Sequence, residues 1–346
     1  MSVAQPYVEA RNRDHSLAEI AYFSGPNFLN TIELGWDVDP QAFGTHHPVL
    51  FTYINNNGYT GGEDGYNKDF VPVTGNHFTP GQILEAAEKP IEFGVKYEGG
   101  NWWLYVYDQW IGYIPGTFWR GEFTKSHEHQ IYGEVVEPGH NYRNLAMGNG
   151  LFGESVGSVK MVSPEHFPTV NSAATETLAE TNLKKASDES LYTFGRIPIG
   201  KNEWHYGGPG GQSISLVAYN GECAGVGNSA AVGQPLVLEP CVAELPSNEF
   251  AQAVFSDESF QLISRYSHLC SLAASVVGGN AVQEECGAPT TSPEERYKVS
   301  FVPGGGGRFF YIVNQKTGRC FNAHHAKVKE SECTGSVSEE WERIEL

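Results

Sequence analysis

Six cysteines constrain what this 346-residue chain can fold into, because all of them lie between residues 223 and 333 and none precedes them. They come in three units, each a cysteine, a β-rich stretch, a second cysteine and an aromatic: Cys223…Cys241…Phe250, Cys270…Cys286…Tyr297 and Cys320…Cys333…Trp341. Successive first cysteines stand 47 and 50 residues apart, second cysteines 45 and 47, and the aromatics 47 and 44. Agreement at three landmarks marks an internal repeat, in which each unit buries its apolar face only against its neighbours. Three units are too few for a propeller, which takes about four to eight blades. An even cysteine set confined to one end reads as a disulfide framework made in an oxidising compartment, so a secreted protein is expected. With no CxxC pair in the chain, zinc and dithiol redox chemistry lack their usual spacing. Cysteine order by itself leaves the pairing open.

The charge excludes some partners. Lys and Arg number 22 against 41 Asp and Glu, a net charge of −19, which opposes nucleic acid and anionic membranes. No apolar run is long enough to span a bilayer as a helix. Forty glycines, 12% aromatics and few long Ala/Leu/Glu/Lys stretches point to an all-β protein. The glycine-rich stop Gly207-Gly208-Pro209-Gly210-Gly211 breaks strand and helix alike, so the expected domains are 1–212 and 213–346. Between Ser163 and Ser190 the chain is polar, with one short helix expected over Thr177 to Lys185. Met1 to Arg13 lacks the apolar core of a signal peptide, so the chain is expected to be a mature, exported form.

Two glutamates in the first half sit in unusual settings. In Asn30-Thr31-Ile32-Glu33-Leu34-Gly35-Trp36, strand alternation puts Ile32 and Leu34 on one face and Thr31, Glu33 and Gly35 on the other. In Gln130-Ile131-Tyr132-Gly133-Glu134-Val135-Val136, Glu134 shares a face with Gln130, Tyr132 and Val136. Carboxylates are depleted in buried strands because desolvating a charge is costly. A Glu so placed is either at an exposed edge or held for chemistry. Neither GxSxG nor a papain-like cysteine motif occurs. His127-Glu128-His129, His46-His47 and His324-His325 come without HExxH or a third spaced ligand, so no metal and no cofactor are expected. The four-glycine run Gly304 to Gly307 lacks the Lys-Ser/Thr of a phosphate loop and reads as a turn.

Residues 15–160 resemble the neprosin domain, a family of glutamic peptidases that cleave on the carboxyl side of proline. The resemblance rests on motifs in order: His15-Ser16-Leu17-Ala18-Glu19-Ile20, Ile32-Glu33-Leu34-Gly35-Trp36 with Val38 and Pro40, Leu50-Phe51-Thr52-Tyr53, Gly99-Gly100-Asn101-Trp102-Trp103-Leu104, Ile111-Gly112-Tyr113-Ile114-Pro115, Gly133-Glu134-Val135 and Ala146-Met147-Gly148-Asn149-Gly150. It implies a curved antiparallel β-sandwich with its active site on the concave face, and Glu33 and Glu134 as the catalytic pair. Two carboxylates held close share a proton, so one can activate water while the other donates to the carbonyl oxygen, with activity favouring acidic pH. The sequence does not tell base from acid. Trp103, Tyr113 and Tyr132 either accept the proline ring or fill the core. Plant members carry a cysteine pair where this chain has Thr60 to Asn67, and two glycines where it has Tyr132-Gly133.

Residues 213–346 resemble the ricin-B-type β-trefoil. Glu339-Glu340-Trp341 stands at the family's Gln-x-Trp, and Asn314 to Cys320 resembles its turn before a lobe cysteine. The resemblance implies one disulfide per lobe: Cys223–Cys241, Cys270–Cys286 and Cys320–Cys333. It also implies a glycan partner, although the Asp that sugar-binding lobes carry after the first cysteine is missing from all three. Gln234, Asn280, Asn322 and His324 remain as hydrogen-bonding groups. The expected function is therefore a secreted glutamic endopeptidase acting on proline-containing proteins or peptides. Paired glutamates also serve glycoside hydrolases, and a non-catalytic lectin-like protein is the third alternative.

Overall fold

The computed structural model describes residues 1–8, 13–61, 64–87, 89–137, 145–166, 176–177, 186, 188–189, 191–195, 203–211, 213–242, 245–255, 257–287, 292–303 and 307–345. Packing divides the chain into two units. One comprises Met1–His140, Val159–Lys185 and Pro198–Trp204; the other comprises Asn141–Ser158, Ala186–Ile197 and His205–Leu346.

The first unit is a β-sandwich. One antiparallel sheet has the order β4-β3-β2-β1-β9, with β1 His15–Ser24, β2 Asn30–Val38, β3 Val49–Asn55, β4 Gly65–Tyr66 and β9 Glu128–Val136. The second has the order β5-β8-β7-β6, with β5 Val71–Pro72, β6 Phe93–Glu98, β7 Asn101–Val106 and β8 Gln109–Pro115. Alternation decides what each strand buries. Ile32, Leu34 and Trp36 on β2, with Leu50 and Ile54 on β3, form the apolar face of the first sheet, all of them buried. Trp102, Leu104 and Val106 do the same on β7. Across the sheets, the Tyr22 ring lies 6.1 Å from that of Trp102. Trp36 and Trp102 each place the indole N–H on a backbone carbonyl, of Ser2 and Phe123 respectively, so neither large ring buries an unpaired donor.

The second unit is a β-trefoil. First and last strands of the three lobes close a six-stranded ring. Ser213–Ala218 pairs with Phe250–Val254, that with Phe260–Ser264, that with Tyr297–Phe301, that with Phe309–Asn314, that with Trp341–Glu345, and Trp341–Glu345 returns to Ser213–Ala218. Closure removes the open sheet edge. Phe250, Tyr297 and Trp341 fill the ring at equivalent positions. Each follows a 3-10 turn whose last residue, Asn248, Glu295 or Glu339, is buried. That side chain ties down the chain beside the lobe's second cysteine: Asn248 donates to the Pro240 carbonyl, Glu295 accepts from the Gly287 N–H, and Glu339 accepts from those of Thr334 and Gly335. Three disulfides, Cys223–Cys241, Cys270–Cys286 and Cys320–Cys333, each close one lobe. Leu151 and Phe152, which precede the glycine-rich stop, share a core with Ala251, Ala253, Ile263, Cys270 and Cys286.

The chain is thus all-β, a curved antiparallel sandwich followed by a trefoil. Of the helix expected over Thr177 to Lys185, Thr177 instead belongs to a two-residue strand paired with Glu165–His166; the rest lies outside the described residues, as do Gly304 to Gly306. Replacing Cys270 and Cys286 together by Ala removes a closed loop, worth about 2–4 kcal/mol. Urea unfolding is expected to begin at lower concentration in this variant. A midpoint equal to that of the wild type contradicts the role given to the bridge.

Candidate active site

The outer face of the first sheet, opposite the sandwich core, collects carboxylates. Register shows how. On β1, Leu17, Glu19 and Ala21 point outward, because Ala18, Ile20 and Tyr22 point to the core. Glu33 on β2 lies opposite Ala21, and Glu134 on β9 opposite Leu17. Glu19 lies opposite Gly35 on one side and Tyr132 on the other. Strand β1 separates β2 from β9 in the sheet, so Glu33 and Glu134 flank it diagonally with Glu19 between them. Gly35 admits nothing larger: a Cβ there would lie 2.0 Å from the carbonyl oxygen of Ala18. The resulting cleft, about 470 Å³, is lined by all three glutamates together with His15, Tyr59 and Tyr132. That volume is within the usual range for a binding site.

The three glutamates differ in setting. Glu19 is 1% exposed and Glu33 8%, whereas the Glu134 side chain is 43% exposed. Tyr59 donates a hydrogen bond to Glu33 Oε1, and the Tyr132 hydroxyl reaches Glu19. His15 Nε2 stands 3.4 Å from Glu134 Oε1. Burial pushes the Glu33 carboxyl up to about 8, against the opposing bond from Tyr59 and with help from the Glu134 charge. Burial, then the Glu33 charge, raises Glu19 as well. Asp37, on the same face, rises to about 7 by burial, with the His15 charge opposing. Burial alone would lower the His15 imidazole; its bond to Glu134 and the charge of Asp37 outweigh that and raise it. The face therefore holds at least one buried acid that is neutral near pH 7 beside one glutamate side chain that water reaches.

Of the five residues singled out in the sequence for the peptidase site, Glu33, Glu134 and Tyr132 come together here. Trp103 and Tyr113 do not. They pair with each other across β7 and β8, ring centroids 4.8 Å apart. Because Trp102 and Leu104 take the core positions of β7, Trp103 and Tyr113 face away from both core and cleft. The aromatic wall beside Glu33 comes instead from β3 and the turn after it. Tyr53 and Tyr59 stack at 6.1 Å with 12° between planes, and Tyr53 is fixed by donating to Asp64. Glu19 and Tyr59 were missed. Glu19 shows the outward parity of a carboxylate in an apolar strand, a signal present in the sequence; Tyr59 lies in a turn, where alternation says nothing. Among the histidine pairs, His127 hydrogen-bonds Ser24, and His129 stacks on His166. Asn322 donates to Ser338 in the trefoil.

An all-β protein with buried acids in an open cleft and a disulfide-closed trefoil defines the class. The Neprosin family model matches residues 12–209, and the chain belongs to the Neprosin family, which is associated with peptidase activity. Among solved structures it is similar to a designed threefold-symmetric protein, ThreeFoil (15% identity, 39% of this chain and 99% of that one, TM-score 0.35). It is also similar to the C-half of the earthworm R-type lectin in complex with GalNAc (11%, 39% and 99%, 0.31), and to Polyporus squamosus lectin bound to an influenza-binding epitope (12%, 39% and 49%, 0.32).

The shifts fix the sign of the pH dependence. In the unfolded chain these carboxyls titrate at ordinary values; folded, Glu33 titrates near 8, and Asp37, Glu295 and Glu330 near 7. Between about pH 4.5 and 8 the folded chain therefore holds more protons, and stability falls as pH rises. The buried Met1 ammonium, lowered to about 5, and the His129 imidazole, lowered by burial, oppose this but are outnumbered by the raised carboxyls. The melting temperature is expected to be higher at about pH 5 than at about pH 8, with a flatter slope in Glu33→Gln. A rising slope across that window contradicts the assignment.

Proposed function

We propose that the protein is a secreted glutamic endopeptidase that hydrolyses peptide bonds, after proline, with Glu33 and Glu134 acting on one water at acidic pH. One observation carries this reading: two glutamates, one buried and one reached by water, open onto one cleft. In the reaction, the Glu134 carboxylate takes a proton from water as the water oxygen bonds to the scissile carbonyl carbon. The displaced electron pair moves to the carbonyl oxygen, which receives the Glu33 proton. In the second half, a hydroxyl of the tetrahedral intermediate returns its proton to Glu33, the C–N bond breaks, and the leaving nitrogen takes the proton held by Glu134. Both glutamates regain their starting states.

The stacked rings of Tyr53 and Tyr59 offer the pyrrolidine a flat apolar surface beside Glu33. Tyr132 closes the opposite side. The trefoil, taken as a separate domain from residue 213, serves as a glycan anchor or as a stabilising appendage. The three disulfides agree with an extracellular setting.

A mixed proteome digested at about pH 4–5, where Glu33 keeps its proton, tests this. Cuts mapped by mass spectrometry are expected to be enriched after Pro, and to fall by about 10²–10⁴-fold in Glu33→Gln and in Glu134→Gln. Cuts spread over other residues but lost in the variants would keep the peptidase and remove the proline preference. Glycan hydrolysis without peptide hydrolysis would transfer the pair to glycoside chemistry. Tyr59→Phe removes the hydroxyl that favours ionised Glu33, so the alkaline limb of its pH–rate profile is expected to move to higher pH. A shift to lower pH would contradict that role.

A further inference from the structure

We propose that His15 is a positioning residue of this site: as an imidazolium it holds one oxygen of Glu134 and leaves the other free to take the proton of the attacking water. The inference rests on the peptidase reading above and deepens it. Strand parity puts His15 on the outer face with Leu17 and Glu19, where it lines the cleft with its side chain 13% exposed. Both ring nitrogens are engaged. Nδ1 lies 3.1 Å from the carbonyl oxygen of Arg13, and Nε2 lies 3.4 Å from Glu134 Oε1. The turn that supplies the carbonyl is itself fixed: Arg13 sits at φ 63, and its N–H donates to Gln41 Oε1 at 2.6 Å. A carbonyl oxygen only accepts, so Nδ1 must carry a proton. In the neutral ring that leaves a bare lone pair on Nε2, which repels a carboxylate. Glu134 serves as a base only when it is a carboxylate. Contact and chemistry are compatible in one form, imidazolium beside carboxylate, joined by a charge-assisted bond.

The groups around His15 favour that form. Glu134 faces it from β9, Asp37 from β2 and the Arg13 carbonyl from the turn before β1, while the Arg13 guanidinium acts on Tyr53. Along β1 itself the next outward acid is Glu19. Burial disfavours the charged ring; the bond to Glu134, the Asp37 charge and the bond to Arg13 outweigh it, so His15 titrates above its ordinary 6.5. At about pH 4–5 the ring is therefore charged. With Oε1 held, the Glu134 side chain, 43% exposed, keeps Oε2 for water. When Oε2 takes the water proton, Oε1 still accepts from Nε2–H. The imidazolium neither gains nor loses a proton in the cycle.

The test joins an NMR titration of the His15 ring, its signals assigned by their loss in His15→Gln, to kinetics on one peptide substrate, with a melting curve for each variant. In the wild type the ring is expected to titrate above 6.5. Above its midpoint the remaining proton is expected on Nδ1, read from the nitrogen shifts. In Glu134→Gln the midpoint is expected to fall, because the carboxylate that favours the charged ring is gone. His15→Leu fills the space without a donor and is expected to lower kcat at about pH 5 by about 10–100-fold, with little change in KM. His15→Gln, whose side-chain N–H reaches to where Nε2 stands, is expected to recover part of that loss. A packing role alone would lower the melting temperature and leave kcat in place. Should His15→Leu not fold, His15→Ala takes its place. A wild-type kcat in the folded variant, a His15 midpoint unmoved in Glu134→Gln, or a neutral ring protonated on Nε2 overturns the role given to His15; with Glu134→Gln inactive, the peptidase reading stands. Full activity in Glu134→Gln overturns both.

Discussion

Burial of carboxyl groups on one sheet face, with repulsion among them second, is the constraint on which the rest of this structure turns. Glu19, Glu33 and Asp37 lie buried on adjacent strands, with Glu134 at the open side. So many negative charges are not all tolerated in a medium that screens them poorly. The face settles the conflict by keeping protons. A proton retained at Glu33 up to about pH 8 is a folding cost at high pH and, in the proposed reaction, the source of the acid group. The same crowding that weakens the fold in alkali would, on the proposed reading, prepare the chemistry.

The fold makes that crowding possible by strict separation of faces. The strands that carry Glu19 and Glu33 outward carry Ala18, Ile20, Ile32, Leu34 and Trp36 inward, all buried. A one-residue slip of β1 against β2 would exchange the two sets and put carboxylates in the sandwich core. Gly35 guards the register at the critical row, since any side chain there would strike the Ala18 carbonyl. The trefoil meets the problem of a small core differently. It closes its own sheet, repeats one buried aromatic three times, and cross-links each lobe.

Legibility followed the kind of information each feature needs. The outward placement of Glu33 and Glu134 needs only strand parity, so it was readable from seven-residue windows. The threefold repeat was equally plain, because cysteines and aromatics recur at matched intervals. Trp103 and Tyr113 show where this reading fails. They neighbour matched motifs along the chain, yet proximity in sequence does not say which sheet or which face a residue joins. Their outward placement follows from Trp102 taking the core. Glu19 needed strand order: only with β1 placed between β2 and β9 does its carboxyl fall between the other two. Tyr59 sits at positive φ in a turn, and its bond to Glu33 is a tertiary contact that no local pattern encodes.

The account depends most on Glu33 holding its proton. Labelling glutamate at the side-chain carboxyl carbon with ¹³C and following chemical shifts across pH reads this directly, with the Glu33 signal assigned by its loss in Glu33→Gln. A midpoint near 8, far above an ordinary glutamate, is the predicted result. A Glu33 signal titrating at the ordinary value of 4.5 would mean the face carries charged carboxylates throughout, and the division of labour between Glu33 and Glu134 would be wrong.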